Sequence, residues 1–153
     1  MEAVQDWNNV NIQDIDPNMT LLDGPEVYSF RITKGEKKSY IAKKTTATQE
    51  AGQEVPYVQL TLTVVDHPNF TGRKLWEPLF PGDFGFKTAR RIGEATGVMQ
   101  TGDTDAWLAE LTSVQPTIKV LVEQVPDVFK SQQTGKPENK NQVNWKAGVQ
   151  PGD

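Results

Sequence analysis

Alternation of apolar and polar residues predicts five β-strands in this chain. Successive side chains of a strand point to opposite faces, so a period of two indicates a strand with one face in a core. The pattern is clearest in the second segment, where the apolar residues from Val58 to Val64 share one face. The predicted strands are residues 26–32 with an irregular continuation to 41, 56–66, 73–80, 117–125 and 141–149.

Apolar residues at every third or fourth position predict two helices between the third and fourth strands. The first is predicted over residues 86–97, with Gly97 as its C-terminal cap. The second is shorter and is predicted over residues 105–111. Residues 43–54 and 130–140 are polar and lack an apolar period, which predicts exposed loops.

This order of elements predicts an all-β fold with one or two short helices. Five strands with a helix between the third and fourth is the connectivity of the OB-fold, a five-stranded, partly open Greek-key barrel. A plain β-sandwich is the alternative, and the position of the helix favours the barrel. Tyr28, Phe30 and Trp107 are predicted core residues. For Trp76 and Trp145 the sequence allows either a core or a surface position.

The chain of 153 residues is long enough for one domain with a sizeable core. Residues 1–23 are polar, acidic and aperiodic, which predicts a flexible or loosely docked N-terminal arm. Residues 24–149 form the predicted barrel, and residues 150–153 form a predicted tail.

Several classes of protein are excluded by composition. Cysteine is absent, which excludes disulfides, thiol nucleophiles and zinc–cysteine sites. No apolar run approaches the roughly 18 residues of a membrane-spanning helix. The N-terminus has neither the basic nor the apolar segment of a secretory signal. We therefore expect a soluble cytoplasmic protein with no membrane partner.

Three short features resemble catalytic or metal-binding signatures, and a structural explanation is favoured for each. Asp83-Phe84-Gly85 spells a kinase metal-binding triplet, but the other kinase motifs are missing, so a turn is favoured. Asp103-Thr104-Asp105 precedes a predicted helix, where an N-cap is favoured over a cation site. His67 has no nucleophile or ligand at a recognisable spacing, which favours a surface turn. We expect no enzyme, metal or cofactor.

Charge is distributed unevenly along the chain, and this distribution is more informative than the net charge of −4. Residues 1–26 contain six acids and no lysine or arginine, whereas the rest carries 16 bases against 14 acids. Six of these bases fall within residues 31–44. A basic body with an acidic arm suits a nucleic-acid partner, and solvated faces of an ordinary protein are the alternative.

Residue types that bind bases and phosphates are concentrated on the first three strands. Proteins that bind single strands combine a positive groove with aromatic rings on which bases stack. The second and third strands are also the usual binding face of an OB barrel. The predicted DNA-binding residues are Arg31, Lys34, Lys37, Lys38, Tyr40, Lys43, Lys44, Tyr57, Gln59, Thr61, Arg73, Lys74, Trp76, Trp145 and Lys146.

The stretch Gly24–Leu79, with VPYVQLTLTVVD followed by GRKLWEPL, resembles a phage and prophage family of small single-stranded-DNA-binding proteins. IGEATGV at Ile92–Val98 and NQVNW at Asn141–Trp145 are similar to later parts of that family. The resemblance implies an OB-fold protein that coats single-stranded DNA in phage replication or recombination, in the host cytoplasm. Such proteins commonly end in an acidic recruiting tail, whereas this chain ends Gln-Pro-Gly-Asp and carries its acids at the N-terminus.

Several interpretations of the arm and of the binding partners therefore remain open. The arm has three roles open to it: competition with DNA for the basic surface, recruitment of a replication or recombination protein, or structural cover. A homo-oligomer is compatible with these features. A protein-binding adaptor or virion accessory protein on the same barrel fits the acidic isoelectric point of about 5.1. A carbohydrate or small-ligand binder fits less well.

Overall fold

The computed structural model describes residues 21–47 and 49–152, which form one six-stranded sheet with three short α-helices. Most of the predicted N-terminal arm, residues 1–20, lies outside the described residues. The strands are β1 (Glu26–Ile41), β2 (Glu54–Val65), β3 (Lys74–Leu79), β4 (Thr117–Pro126), β5 (Asn139–Asn144) and β6 (Gln150–Pro151). The helices are α1 (Asp83–Thr96), α2 (Thr104–Val114) and α3 (Val128–Thr134).

The strands of the described chain pair antiparallel in the order β3-β2-β1-β4-β5, and β6 pairs with β4. β1 is the central strand, since it pairs with β2 along most of its length and with β4 along its first part. The predicted β-rich fold with short helices is confirmed, with three helices instead of one or two.

One face of the sheet forms the hydrophobic core, as the alternation predicts. Tyr28 and Phe30 of β1 are 1% and 0% exposed, and Trp107 of α2 is 4% exposed, so all three predicted core aromatics are confirmed. Ile92 of α1 and Leu111 of α2 are fully buried in the same cluster. The two helices therefore cover the core face and leave the opposite face of the sheet to solvent.

A β-bulge changes which side chains of β1 face the core. The register with β2 shifts between Ile32 and Lys34, so after the bulge the odd-numbered residues lie on the core side. Gly35 consequently pairs with Leu60, and a Cβ on Gly35 would lie 2.9 Å from a methyl group of Leu108 in α2. The absence of a side chain at this position lets α2 pack closely against the strand.

Both predicted helices are present, and both are longer than predicted. α1 begins at Asp83, and Gly85 in its first turn packs against Phe80, the residue after β3, where a Cβ would overlap the Phe80 carbonyl oxygen. Gly97 ends the helix with φ of 77°, which confirms the predicted C-cap. Asp103 caps α2 by accepting a backbone N–H bond of 3.0 Å, which confirms the N-cap interpretation.

The predicted loop at residues 130–140 is wrong at both ends, because α3 extends to Thr134 and β5 begins at Asn139. The side chain of Asp127 caps the first turn of this helix, and Gly135 ends it in the left-handed region with φ of 71°. Both signals are in the sequence, but the helix is short and has no buried residue to produce an apolar period.

The predicted strand at residues 141–149 ends early, at Asn144. The Asn144 side chain accepts a hydrogen bond of 3.1 Å from the Ala147 amide and starts a 3₁₀ turn over Trp145–Ala147. Gln150–Pro151, the start of the predicted tail, pairs with Lys119 and Ile118 of β4. The chain therefore turns once more after β5 and returns to the sheet.

The described end of the N-terminal arm is docked on β4 and β5. Leu22 is 1% exposed, and its amide donates a 2.9 Å bond to Asn141 Oδ1. Its carbonyl accepts bonds of 2.9 Å from Asn141 Nδ2 and from Gln124 Nε2. Tyr28 also donates from its hydroxyl to the carbonyl of Asp23 over 2.7 Å. Leu22 is thus part of the core, and structural cover describes this part of the arm.

His67 lies in the turn between β2 and β3, as predicted, but it is half-buried and organises that turn. Its Nδ1 accepts amide bonds from Asn69 (3.1 Å) and Phe70 (3.2 Å). Its Nε2 therefore carries the proton and donates to Glu26 over 2.8 Å. The imidazole stacks on Tyr28 at 5.1 Å, which places it in a structural role.

Candidate nucleic-acid interface

Strands β1, β2 and β3 present a continuous surface on the side of the sheet opposite the core. Directly opposed residues of an antiparallel pair share a face, so the register defines this surface row by row. We call it the outer face, and its rows are Arg31, Thr63 and Lys74; Lys34, Thr61 and Trp76; Glu36, Gln59 and Pro78; Lys38 and Tyr57; and, at its end, Tyr40 and Phe80.

Trp76 occupies the middle of β3 on the outer face. Its side chain is 43% exposed, so the structure gives it the surface position and not the core position. Thr61, directly opposite on β2, is 7% exposed and forms the floor beside the indole. Lys74 and Pro78 are its neighbours along the strand on the same face. An exposed indole flanked by a lysine is a suitable surface for a stacked base.

Three further aromatic rings cluster at the end of the outer face. The centroid of Tyr57 lies 5.1 Å from that of Phe80 and 6.0 Å from that of Tyr40, and Tyr40 meets Phe80 edge-on at 5.7 Å. The Tyr40 hydroxyl donates to Gln49 Oε1 over 2.7 Å. Mutual packing holds these rings in place, so the side chains lose little conformational entropy when a ligand stacks on them.

Cations and one carboxylate alternate along β1. Glu36 lies 3.4 Å from Lys34 Nζ and 3.7 Å from Lys38 Nζ, and the lysine side chains are 59% and 41% exposed. Exposed ion pairs of this kind contribute about 0–1 kcal/mol and are screened by salt. Both lysines can therefore exchange the carboxylate for a phosphate at small cost.

Other predicted cations lie beside the outer face or on the opposite side. Lys43 and Lys44 are exposed in the loop that follows β1, as predicted. Lys37 lies on the core side after the bulge, where its ammonium pairs with Asp105 of α2 at 3.0 Å. Gln59 is half-buried between Glu36 and Pro78, so it supports the surface more than it projects from it.

Three more predicted site residues, besides Lys37, lie away from the outer face. Trp145 is 4% exposed and belongs to the core, because the 3₁₀ turn after β5 directs it inward, so it is not available for stacking. Lys146 lies over the ring of Phe84 at 5.8 Å, beside the start of α1. Arg73 is half-buried over Phe70 at 5.6 Å in the β2–β3 turn, where burial lowers the pKa of its guanidinium.

An apolar groove of about 770 Å³ adjoins the outer face and was not predicted from the sequence. It lies between the start of β2 and the end of β3 on one side and α1 and the start of α2 on the other. Phe80, Phe86, Met99 and Trp107 line it. The signal in the sequence is FPGDFGF, which places three phenylalanines around a Pro-Gly turn at residues 80–86, where no core requires them.

The described chain offers few groups for metal chemistry. Residues 21–47 and 49–152 contain no cluster of three or more histidine, aspartate or glutamate side chains that could hold a metal ion. Within the same residues, no helix has the length and apolar character needed to cross a bilayer.

The outer face offers a ligand the aromatic rings of Trp76, Tyr57, Tyr40 and Phe80, on which a flat ring can stack, and the ammonium groups of Lys34, Lys38 and Lys74, which can pair with anions. Comparison of the chain with protein-family models, with curated proteins and with solved structures gives no match.

Proposed function

We propose that this chain is a non-catalytic protein that binds single-stranded DNA on its outer face without sequence preference. The observation that carries the proposal is the exposed indole of Trp76, 43% accessible, in register with Lys34 on β1 and next to Lys74 on β3. Bases would stack on the indole and on the aromatic cluster, and phosphates would pair with the lysines.

The proposal includes an OB-fold as the finer description of the sheet. The order β3-β2-β1-β4-β5, with α1 and α2 between β3 and β4, agrees with the connectivity of that fold. The Val143 amide of β5 donates a hydrogen bond to the Glu77 carboxyl of β3, which brings the two edge strands together and is compatible with a partly open barrel. The outer face then corresponds to the usual binding face of such barrels.

Preference for single strands follows from the geometry of stacking. An indole on a strand can stack on a base only if that base is free of its neighbours and its pairing partner. Duplex readers instead place a helix or a ribbon in the major groove. The outer face is a sheet surface with rings and flexible lysines, so it has the parts for stacking and phosphate contact but not for reading base edges.

The setting that we propose is DNA replication or recombination of the phage type, where exposed single strands need a protective protein. Sequence-independent stacking suits that task because every base has a π-face. Exposed lysines also make the binding reversible and dependent on salt.

Competition binding tests this proposal. A fluorescently labelled dT oligomer, bound to the full chain, is displaced by unlabelled dT, by a mixed-sequence single strand, or by a duplex of equal length. We expect both single strands to compete about equally and the duplex to compete at least tenfold less well. Equal or tighter binding of the duplex would rule out the proposal.

A further inference from the structure

The apolar groove shares two of its lining residues with the outer face. Tyr57 and Phe80 line the groove and also form the aromatic cluster at the end of the outer face. A strand that follows the outer face past Tyr57 therefore arrives at the mouth of the groove. The volume of about 770 Å³ lies within the range of about 300–1,000 Å³ that is typical of small-molecule sites.

Aromatic and thioether side chains make the groove suited to a flat ring. Trp107 forms part of the inner wall and is held by a 3.0 Å bond from its indole N–H to the Val98 carbonyl. Phe86 and Phe80 are 66% and 47% exposed, so two rings lie open to a ligand. Met99, 37% exposed, adds a polarisable sulfur next to them.

Two cations and one fixed amide give the groove its polarity. Lys37 and Arg90 line it, each with an exposed carboxylate partner, Asp105 at 3.0 Å and Glu94 respectively, and such pairs are weak and exchangeable. Gln100 donates to the Thr104 hydroxyl over 3.2 Å and accepts the Gly102 amide over 3.0 Å. A primary amide has a second donor and a second acceptor direction, which can meet the edge of a base.

We propose that this groove holds one unstacked nucleobase of the bound strand, with the flanking phosphates on Lys37 and Arg90. The inference rests on the proposed function and adds a second subsite to it. An apolar peptide is the competing occupant. The nucleobase is favoured because both cations of the groove match phosphates, and because the groove continues directly from the outer face through Tyr57 and Phe80.

Affinity for dT oligomers tests the inference with a matched pair of exposed phenylalanines. Phe86 lines the groove and is 66% exposed, whereas Phe129 on α3 is 71% exposed and lies outside it. We expect Phe86→Ser to weaken dT binding about tenfold, with an unchanged dependence on salt, because a stacking contact is lost and no phosphate contact is lost. Phe129→Ser should bind as the unsubstituted chain does. Arg90→Gln should reduce the slope of log K against log salt by about 0.7, the value for one phosphate of a single strand.

The emission of Trp107 gives a second readout. In a background with Trp7→Phe and Trp76→Phe, the remaining emitters are Trp107 and the core residue Trp145. Saturating dT should still quench the emission of this variant, and adding Phe86→Ser should remove that quenching. If Phe86→Ser binds dT like the unsubstituted chain and Trp107 is not quenched, the nucleobase inference is wrong and an apolar peptide becomes the better occupant. A loss of dT affinity in Trp76→Ala alone would then leave the proposed function standing, whereas no dT binding by the unsubstituted chain would overturn both.

Discussion

The backbone amide of Val143 donates a hydrogen bond of 3.3 Å to the Glu77 carboxyl, and this bond joins β5 to β3. Glu77 pairs with Leu60 and therefore projects from the core side of its strand. Burial raises the pKa of Glu77 to about 7, although the Val143 amide and the charge of Lys140 oppose the shift. A carboxyl group in such a position makes this contact between β3 and β5 sensitive to pH.

The first prediction concerns this contact between β3 and β5. The pKa of Glu77 is about 7 in the folded protein against 4.5 for the free group. Between these two pH values the folded state therefore binds more protons than the unfolded state does. The contribution of Glu77 to the free energy of unfolding is fully present below pH 4.5 and is lost as the pH rises through about 7. We expect Glu77→Gln, which keeps an acceptor for Val143 without a charge, to be more stable than the unsubstituted chain at about pH 8, by on the order of 2 kcal/mol.

Denaturant unfolding at about pH 5 and about pH 8 measures this difference. The advantage of Glu77→Gln should shrink at the lower pH, where Glu77 is protonated. Glu110→Gln, an exposed glutamate on α2, serves as the control and should leave the pH dependence unchanged. An equal difference between Glu77→Gln and the unsubstituted chain at both pH values would contradict the assignment.

The second prediction concerns Trp76. Because its indole is exposed and Trp76 is not part of the core cluster, Trp76→Ala should weaken binding to a dT oligomer by about 1–3 kcal/mol, or roughly 5- to 150-fold. The melting temperature should change little. A large drop in melting temperature with an unchanged affinity per folded molecule would assign Trp76 to the core instead.

The third prediction concerns Glu36, which lies between two lysines on the outer face. Its carboxylate competes with phosphates for Lys34 and Lys38, at 3.4 Å and 3.7 Å. We expect Glu36→Gln to raise the affinity for dT about two- to fivefold at low salt, and the gain to shrink as salt screens the pairs. Glu110→Gln is again the matched control. A weaker affinity for Glu36→Gln would mean that the glutamate itself supports binding.

The fourth prediction concerns the acidic arm. Leu22 is buried and bound by Asn141, so the informative truncation removes residues 1–20 and keeps this anchor. Residues 1–20 contain four acids and no base. If they compete with DNA for the outer face, deletion should raise the affinity for dT at low salt, and the gain should vanish at high salt. An affinity that stays level at every salt concentration would exclude competition. Recruitment of a partner then predicts an unchanged free energy of unfolding for the truncated chain, and structural cover predicts a lower one.

The sequence predicts the parts of this fold that depend on local alternation. Tyr28 and Phe30 are buried as the period of two requires, and Gly97 and Asp103 cap the helices where their chemistry places them. The bulge after Ile32 escapes such a prediction because it depends on the pairing partner and not on the strand itself. Beyond it, Lys37 lies on the opposite side of the sheet from Lys34 and Lys38.

The candidate site is likewise predictable from the sequence only in part. The outer positions of Tyr57 and Trp76 follow from the alternation in β2 and β3. The sequence allows Trp145 a core or a surface position and includes it among the predicted contacts, and the structure buries it in the 3₁₀ turn after β5. The groove is formed by the end of β3, α1 and α2, which are brought together by tertiary packing. Local sequence patterns do not predict which elements pack together. The sequence indicates the groove only through exposed phenylalanines such as Phe86.

The most direct test of the outer face is the NMR signal of the tryptophan indole N–H groups during titration with a dT oligomer. Trp76 reports on the outer face, Trp107 on the groove and Trp145 on the core. We predict that the Trp76 resonance shifts first and most strongly, and that the Trp145 resonance stays in place. A spectrum in which dT binds but the Trp76 resonance does not move would contradict binding on the outer face.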